Sequence, residues 1–167
     1  MSLKLSRFSS LSTLLLFSLV ACGGGGDDDG SDGGGDGDSA KCVEADAHSD
    51  LDWIQDNIFT VSCSLSASCH AGSANLARNL NLESGNSEGN LVSQPSMGEF
   101  SGGLNLVEPG QPDQSYLMVV LGQFGTDDPR LPEDSEGNKI TMPDSSSGYD
   151  ILCEQKRGAI DRWIGGL

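Results

Sequence analysis

Residues Gly23–Ser39 consist of nine Gly, six Asp and two Ser and nothing else. A run of 17 residues with no apolar side chain has nothing to bury, so it cannot offset the entropy of ordering its own backbone. The run divides the 167-residue chain: the 22 residues before it are too few for a core, and whatever folds is the 128-residue segment Ala40–Leu167. That segment keeps 19 of the 25 acidic side chains and 7 of the 9 basic ones, a net −12 out of the chain's −16. Phosphate neutralisation needs the opposite balance, which excludes DNA and RNA as partners.

Before the acidic run, Lys4 and Arg7 precede the apolar stretch Leu11–Val20, whose ten residues are too few to span a bilayer. Residues 1–21 therefore read as an export signal. The stretch closes on Leu19-Val20-Ala21-Cys22, which resembles the bacterial lipobox, where the Cys at the cleavage point is lipidated. The resemblance implies a lipoprotein held to the membrane through Cys22, with residues 22–39 as a disordered tether. Gly23, rather than Asp, in the second mature position implies the outer membrane, facing the periplasm. As a random coil the tether would span roughly 20–25 Å. An ordinary secretory peptide with an incidental Cys is the competing reading. Asp27, Asp28, Asp29, Gly30 and Asp32 also resemble an acidic calcium loop, but the bidentate Glu that such a loop needs is missing.

Cys42, Cys63, Cys69 and Cys153 remain in the folding segment. After export they meet an oxidising compartment, so they are disulfides, cofactor thioethers or metal ligands. The fold class expected is mainly α. Ser49-Asp50-Leu51-Asp52 supplies an N-cap with an acid three residues on, and Leu51, Ile54, Ile58 and Val61 recur at helical spacing, which predicts a helix over Asp50–Ser62. Leu152, Ala159, Ile160, Trp163 and Ile164 share one face of a last helix stopped by Gly165-Gly166. A short helix is expected over Asp113–Leu121, and Ser84–Gly103 and Phe124–Ser147 read as loops.

The segment with most chemistry is Cys63-Ser-Leu-Ser-Ala-Ser-Cys69-His70. Two thiols followed at once by a His are what covalent haem attachment requires, although the usual motif has two residues between the cysteines and this one has five. Around it stand Ile54-Gln55 and Ile58-Phe59, Cys69-His70-Ala71-Gly72, Leu80-Asn81-Leu82 and Asn90-Leu91-Val92. Further on come Pro109-Gly110-Gln111-Pro112-Asp113-Gln114-Ser115-Tyr116-Leu117, Met142-Pro143 and Ile160-Asp161-Arg162-Trp163-Ile164. In that order, over about Asp50–Leu167, the chain resembles the planctomycete-type cytochrome c domain family.

The resemblance implies a cytochrome c-like fold for residues 40–167, with crossing N- and C-terminal helices, a glycine at the crossing, and long loops. It implies one haem c attached through Cys63 and Cys69, with His70 as proximal and Met142 as distal iron ligand, passing single electrons to a redox partner protein. The acidic surface would favour a basic partner. Because the terminal helices pack together in that fold, it also implies a Cys42–Cys153 disulfide, one of three connectivities open to four cysteines. Two alternatives are a haem-free, disulfide-stapled binding or structural lipoprotein, with Cys63 bonded to Cys69, and a copper site using both sulfurs, His70 and Met142. Catalysis has no local support. His48 reads as solvated, Ser115 and Ser145-Ser146-Ser147 as turns and caps, and Asp127-Asp128 with Glu133-Asp134 as a solvated loop face. Trp53 and Trp163 read as core or haem-flanking residues.

Overall fold

The computed structural model describes residues 36–66, 69–72, 79–143 and 152–167. The expected signal, Cys22, the acidic calcium-like run and most of the tether lie outside the described residues, as does Ser145-Ser146-Ser147. Among the described residues the protein is mainly helical, with isolated bridges and no strand. None of its helices is long and apolar enough to cross a membrane.

The first helix, α1 (Asp36–Ala45), was not anticipated and begins inside the span read as tether. Ala40, Lys41, Glu44 and Ala45 are good helix formers, and Lys41 pairs with Glu44 one turn on at 2.8 Å. Next comes α2 (Leu51–Ile54), capped by Asp50 and so one residue later than the expected box starting at Ser49; the Asp50 carboxylate accepts the Trp53 N–H at 2.8 Å. It runs directly into a π-helix, π1 (Gln55–Cys63). The predicted helix therefore exists but is wound differently. In a π turn the bond partner is five residues back rather than four, so the face rotates relative to an α pattern. Ile54, Ile58 and Phe59 are buried, whereas Val61, expected on the same face, is 51% exposed.

Two short helices follow, α3 (Ser87–Leu91) within a stretch expected to be loop, and α4 (Tyr116–Val120). The helix expected over Asp113–Leu121 is split: Pro112–Gln114 form a 3-10 turn and Ser115 is extended between it and α4. Ser115 is fully buried and works as a turn anchor, its hydroxyl accepting the Glu108 N–H at 2.9 Å and donating to the Gln111 carbonyl at 3.0 Å. The chain closes with α5 (Glu154–Gly165), where Ala159, Ile160, Trp163 and Ile164 are buried as predicted, while Leu152, expected on the same face, is buried but precedes the helix.

α5 packs on both α1 and α2. Trp163 meets Phe59 of π1 edge to face, with ring centroids 6.4 Å apart, at the centre of one apolar core. Arg162 reaches from α5 to the end of α1, donating to the Ala45 carbonyl at 2.7 Å and twice to that of His48. The expected glycine at a helix crossing is not found at Gly158, where an added Cβ would meet only the Arg162 guanidinium of the same helix. Two surface readings also change. His48 stacks on Trp53 with centroids 4.4 Å apart and pairs with Asp50. Asp128 is buried and bound to Arg130 by two side-chain hydrogen bonds.

Candidate functional site

π1 ends at Cys63, and the chain turns back at once. The Ser64 N–H donates to the Phe59 carbonyl, five residues back, at 2.8 Å, and the His70 N–H donates to the Cys63 carbonyl at 2.9 Å. That second bond closes the five-residue interval into a loop. The Cys69 N–H bonds the Ser66 carbonyl at 3.0 Å, and the Ser66 hydroxyl lies 3.8 Å from the Cys69 sulfur. The hydrogen bonds from His70 to Cys63 and from Cys69 to Ser66 thus keep the two ends of the long spacing close to each other.

Neither Cys63 nor Cys69 is disulfide-bonded. Cys63 packs against the core, and burial, reinforced by the neighbouring Cys69, pushes its thiol up to about 12. At neutral pH it is therefore a protonated thiol. His70 is oriented. Its Nδ1 stands 3.2 Å from the Leu80 carbonyl oxygen, and since a carbonyl only accepts, Nδ1 carries the proton. The lone pair is left on Nε2. Burial holds the imidazole below its ordinary value of 6.5 against the opposing pull of the Leu80 bond, so the ring is neutral at pH 7. Gly72, two residues on, has φ +75°, a left-handed conformation that side chains resist, and this lets the chain leave the motif sharply.

Met142 is placed by a different element. It is half-buried, and its N–H donates to the Val120 carbonyl of α4 at 2.6 Å. Cys42, inside α1 rather than before the first helix, is disulfide-bonded to Cys153 at the head of α5, with Cα atoms 6.2 Å apart. Among the described residues no three His, Cys, Asp or Glu side chains converge as a metal cluster. An open hollow of about 250 Å³ is lined by Gly103, Leu104, Asn105, Glu108, Gln111 and Gln114, none of them in the motif loop.

Sequence reasoning named Gln55 and Asn90 within the motif segments but gave neither a role. Gln55 is 6% exposed, on the apolar side of π1 beside Ile54 and Ile58, and the one signal available was a polar side chain where the pattern called for an apolar one. Its Nε2 donates to the Leu82 carbonyl at 2.9 Å and to the Thr60 hydroxyl at 3.1 Å, while its Oε1 accepts from Ser87 at 2.6 Å. Comparison of the chain with protein-family models, with curated proteins and with solved structures returned no match in any of the three.

Proposed function

We propose that this chain is a lipid-anchored, periplasm-facing c-type cytochrome domain that carries one covalent haem and passes single electrons. The observation that carries the reading is the His70 ring, neutral and fixed by Leu80 with its Nε2 lone pair available, next to two cysteines left out of the domain's disulfide. A carbonyl partner on the far nitrogen is the usual way in which a ligating imidazole is oriented and made more basic. The donor set fits the group: Cys63 and Cys69 would hold the haem by thioethers and His70 would ligate its iron. The bound group would supply a reversible one-electron change.

Met142 completes the proposal as the second ligand, a thioether that favours the reduced state and leaves no coordination position open. Cys22 anchors the chain, and the acidic domain steers a basic redox partner towards it in a weak, salt-sensitive encounter. The cytochrome c-like fold belongs to the same proposal, supported by the contact of α5 with the first helices and the order of the motifs.

The test is to export the full chain with the haem maturation machinery and record its visible spectrum and mass. A Soret band that survives denaturation, with the mass raised by one haem, is the expected result. Absence of the band, with the mass showing both thiol pairs oxidised, would instead identify a haem-free, disulfide-stapled lipoprotein. In the haem-loaded protein, Met142→Ala should abolish the Met-to-iron charge-transfer absorbance of the oxidised form, and an unchanged band would remove Met142 from the ligand set.

A further inference from the structure

The segment Leu80-Asn81-Leu82 presents three consecutive carbonyls, and each accepts a side-chain hydrogen bond from a different part of the fold. Leu80 takes the His70 Nδ1–H. Asn81 takes the Asn90 amide, from α3, at 2.8 Å. Leu82 takes the Gln55 amide, from π1, at 2.9 Å. The strap is also tied back to the motif along the main chain, since the Leu82 N–H donates to the His70 carbonyl at 2.8 Å. Glu83, just after it, accepts the Gly72 N–H at 3.1 Å.

From this arrangement we infer that Gln55 and Asn90 are positioning residues for His70. They fix the two carbonyls following that of Leu80 and so hold the Leu80 oxygen where the imidazole proton must point. The inference deepens the proposed haem-ligand role and rests on it. Gln55 is itself oriented. An amide side chain can rotate to present either its oxygen or its nitrogen; the Leu82 carbonyl, which only accepts, selects Nε2, and the buried Ser87 hydroxyl donates to the remaining Oε1 at 2.6 Å. The winding of π1 adds to this by stacking Thr60, five residues on, over Gln55, so the second amide hydrogen is also engaged. Neither residue touches a group that would react. Each acts on a carbonyl remote in sequence, Gln55 across 27 residues and Asn90 across nine.

The test compares Gln55→Met and Asn90→Leu, which keep side-chain volume and remove the amides, with Ser87→Ala, which loosens the same network but leaves the bond to Leu82. Nitrogen NMR of the full-length, haem-free chain reads the His70 tautomer. The wild type and Ser87→Ala should hold the proton on Nδ1, while the two amide variants should move it substantially towards Nε2. In the haem-loaded protein the amide variants should raise the reduction potential, because a loosened Leu80 bond makes His70 a weaker donor to oxidised iron. Asn90 is only half-buried, so Asn90→Leu keeps the test open if Gln55→Met fails to fold. Retention of the Nδ1 proton in the folded amide variants, or an equal shift in Ser87→Ala, overturns the inference. Absence of haem in every variant removes the proposed function instead, while the tautomer still decides the positioning role.

Discussion

Among the described residues Asp128 is the buried carboxylate, and its burial was not visible in a loop that reads as polar. Arg130 grips it through Nε at 3.0 Å and Nη2 at 2.8 Å, and the same guanidinium lies over the Phe124 ring, 5.0 Å from its centroid. The Arg130 hydrogen bonds hold the Asp128 carboxyl below its ordinary value of 3.8. A carboxyl depressed on folding stabilises the protein above its unfolded value, and that contribution disappears as pH falls through the folded one. Asp128→Asn should therefore cost about 1.5 kcal/mol near neutrality. Chemical denaturation of the two proteins should show that gap closing at pH below 3.8; a gap that persists in acid would mean the pair contributes through packing alone. At the same scale, Cys69 and His70 were legible because their chemistry depends on adjacency in sequence. Gln55 and Asn90 were not, because they act on main-chain carbonyls that only the folded chain brings to them.

At the scale of elements, α5 was legible residue by residue, since Ala159, Ile160, Trp163 and Ile164 keep α periodicity and all are buried. π1 was legible as a helix but not in its winding. One residue more per hydrogen-bonded turn leaves no mark on composition, and it shows only in Val61 turning outward while Phe59 turns in. α1 was hidden by its beginning in the Gly/Asp run, and what holds it comes from the far end of the chain. Arg162 gives the Ala45 carbonyl, which also accepts the His48 N–H, a second donor, and it bonds the His48 carbonyl just past the helix end. Arg162→Met keeps the stem and removes these bonds, so it should destabilise the protein by about 1–2 kcal/mol. Amide hydrogen exchange should quicken in the last turn of α1 while the disulfide stays intact. Unchanged exchange there would show that the disulfide alone secures the helix.

Over the whole molecule, the Cys42–Cys153 bond ties α1 to the head of α5, which supplies Ala159, Ile160, Trp163 and Ile164 to the apolar core, with a sequence separation of 111 between its two cysteines. Closing so long a loop removes much freedom from the unfolded chain, and Cys42→Ser with Cys153→Ser should cost about 4–5 kcal/mol. Equilibrium denaturation measures this directly, and a loss below about 1 kcal/mol would mean that the unfolded chain is already compact. The bond has a mechanical consequence as well. Tension entering from the Gly/Asp side reaches Cys42 in α1 and crosses at once to Cys153 and α5. The covalent ring between them, with the Cys63–His70 loop and its strap, carries no load, so a pull between the two ends of the domain can peel the start of α1 or stretch α5 without drawing out the segment that orients His70.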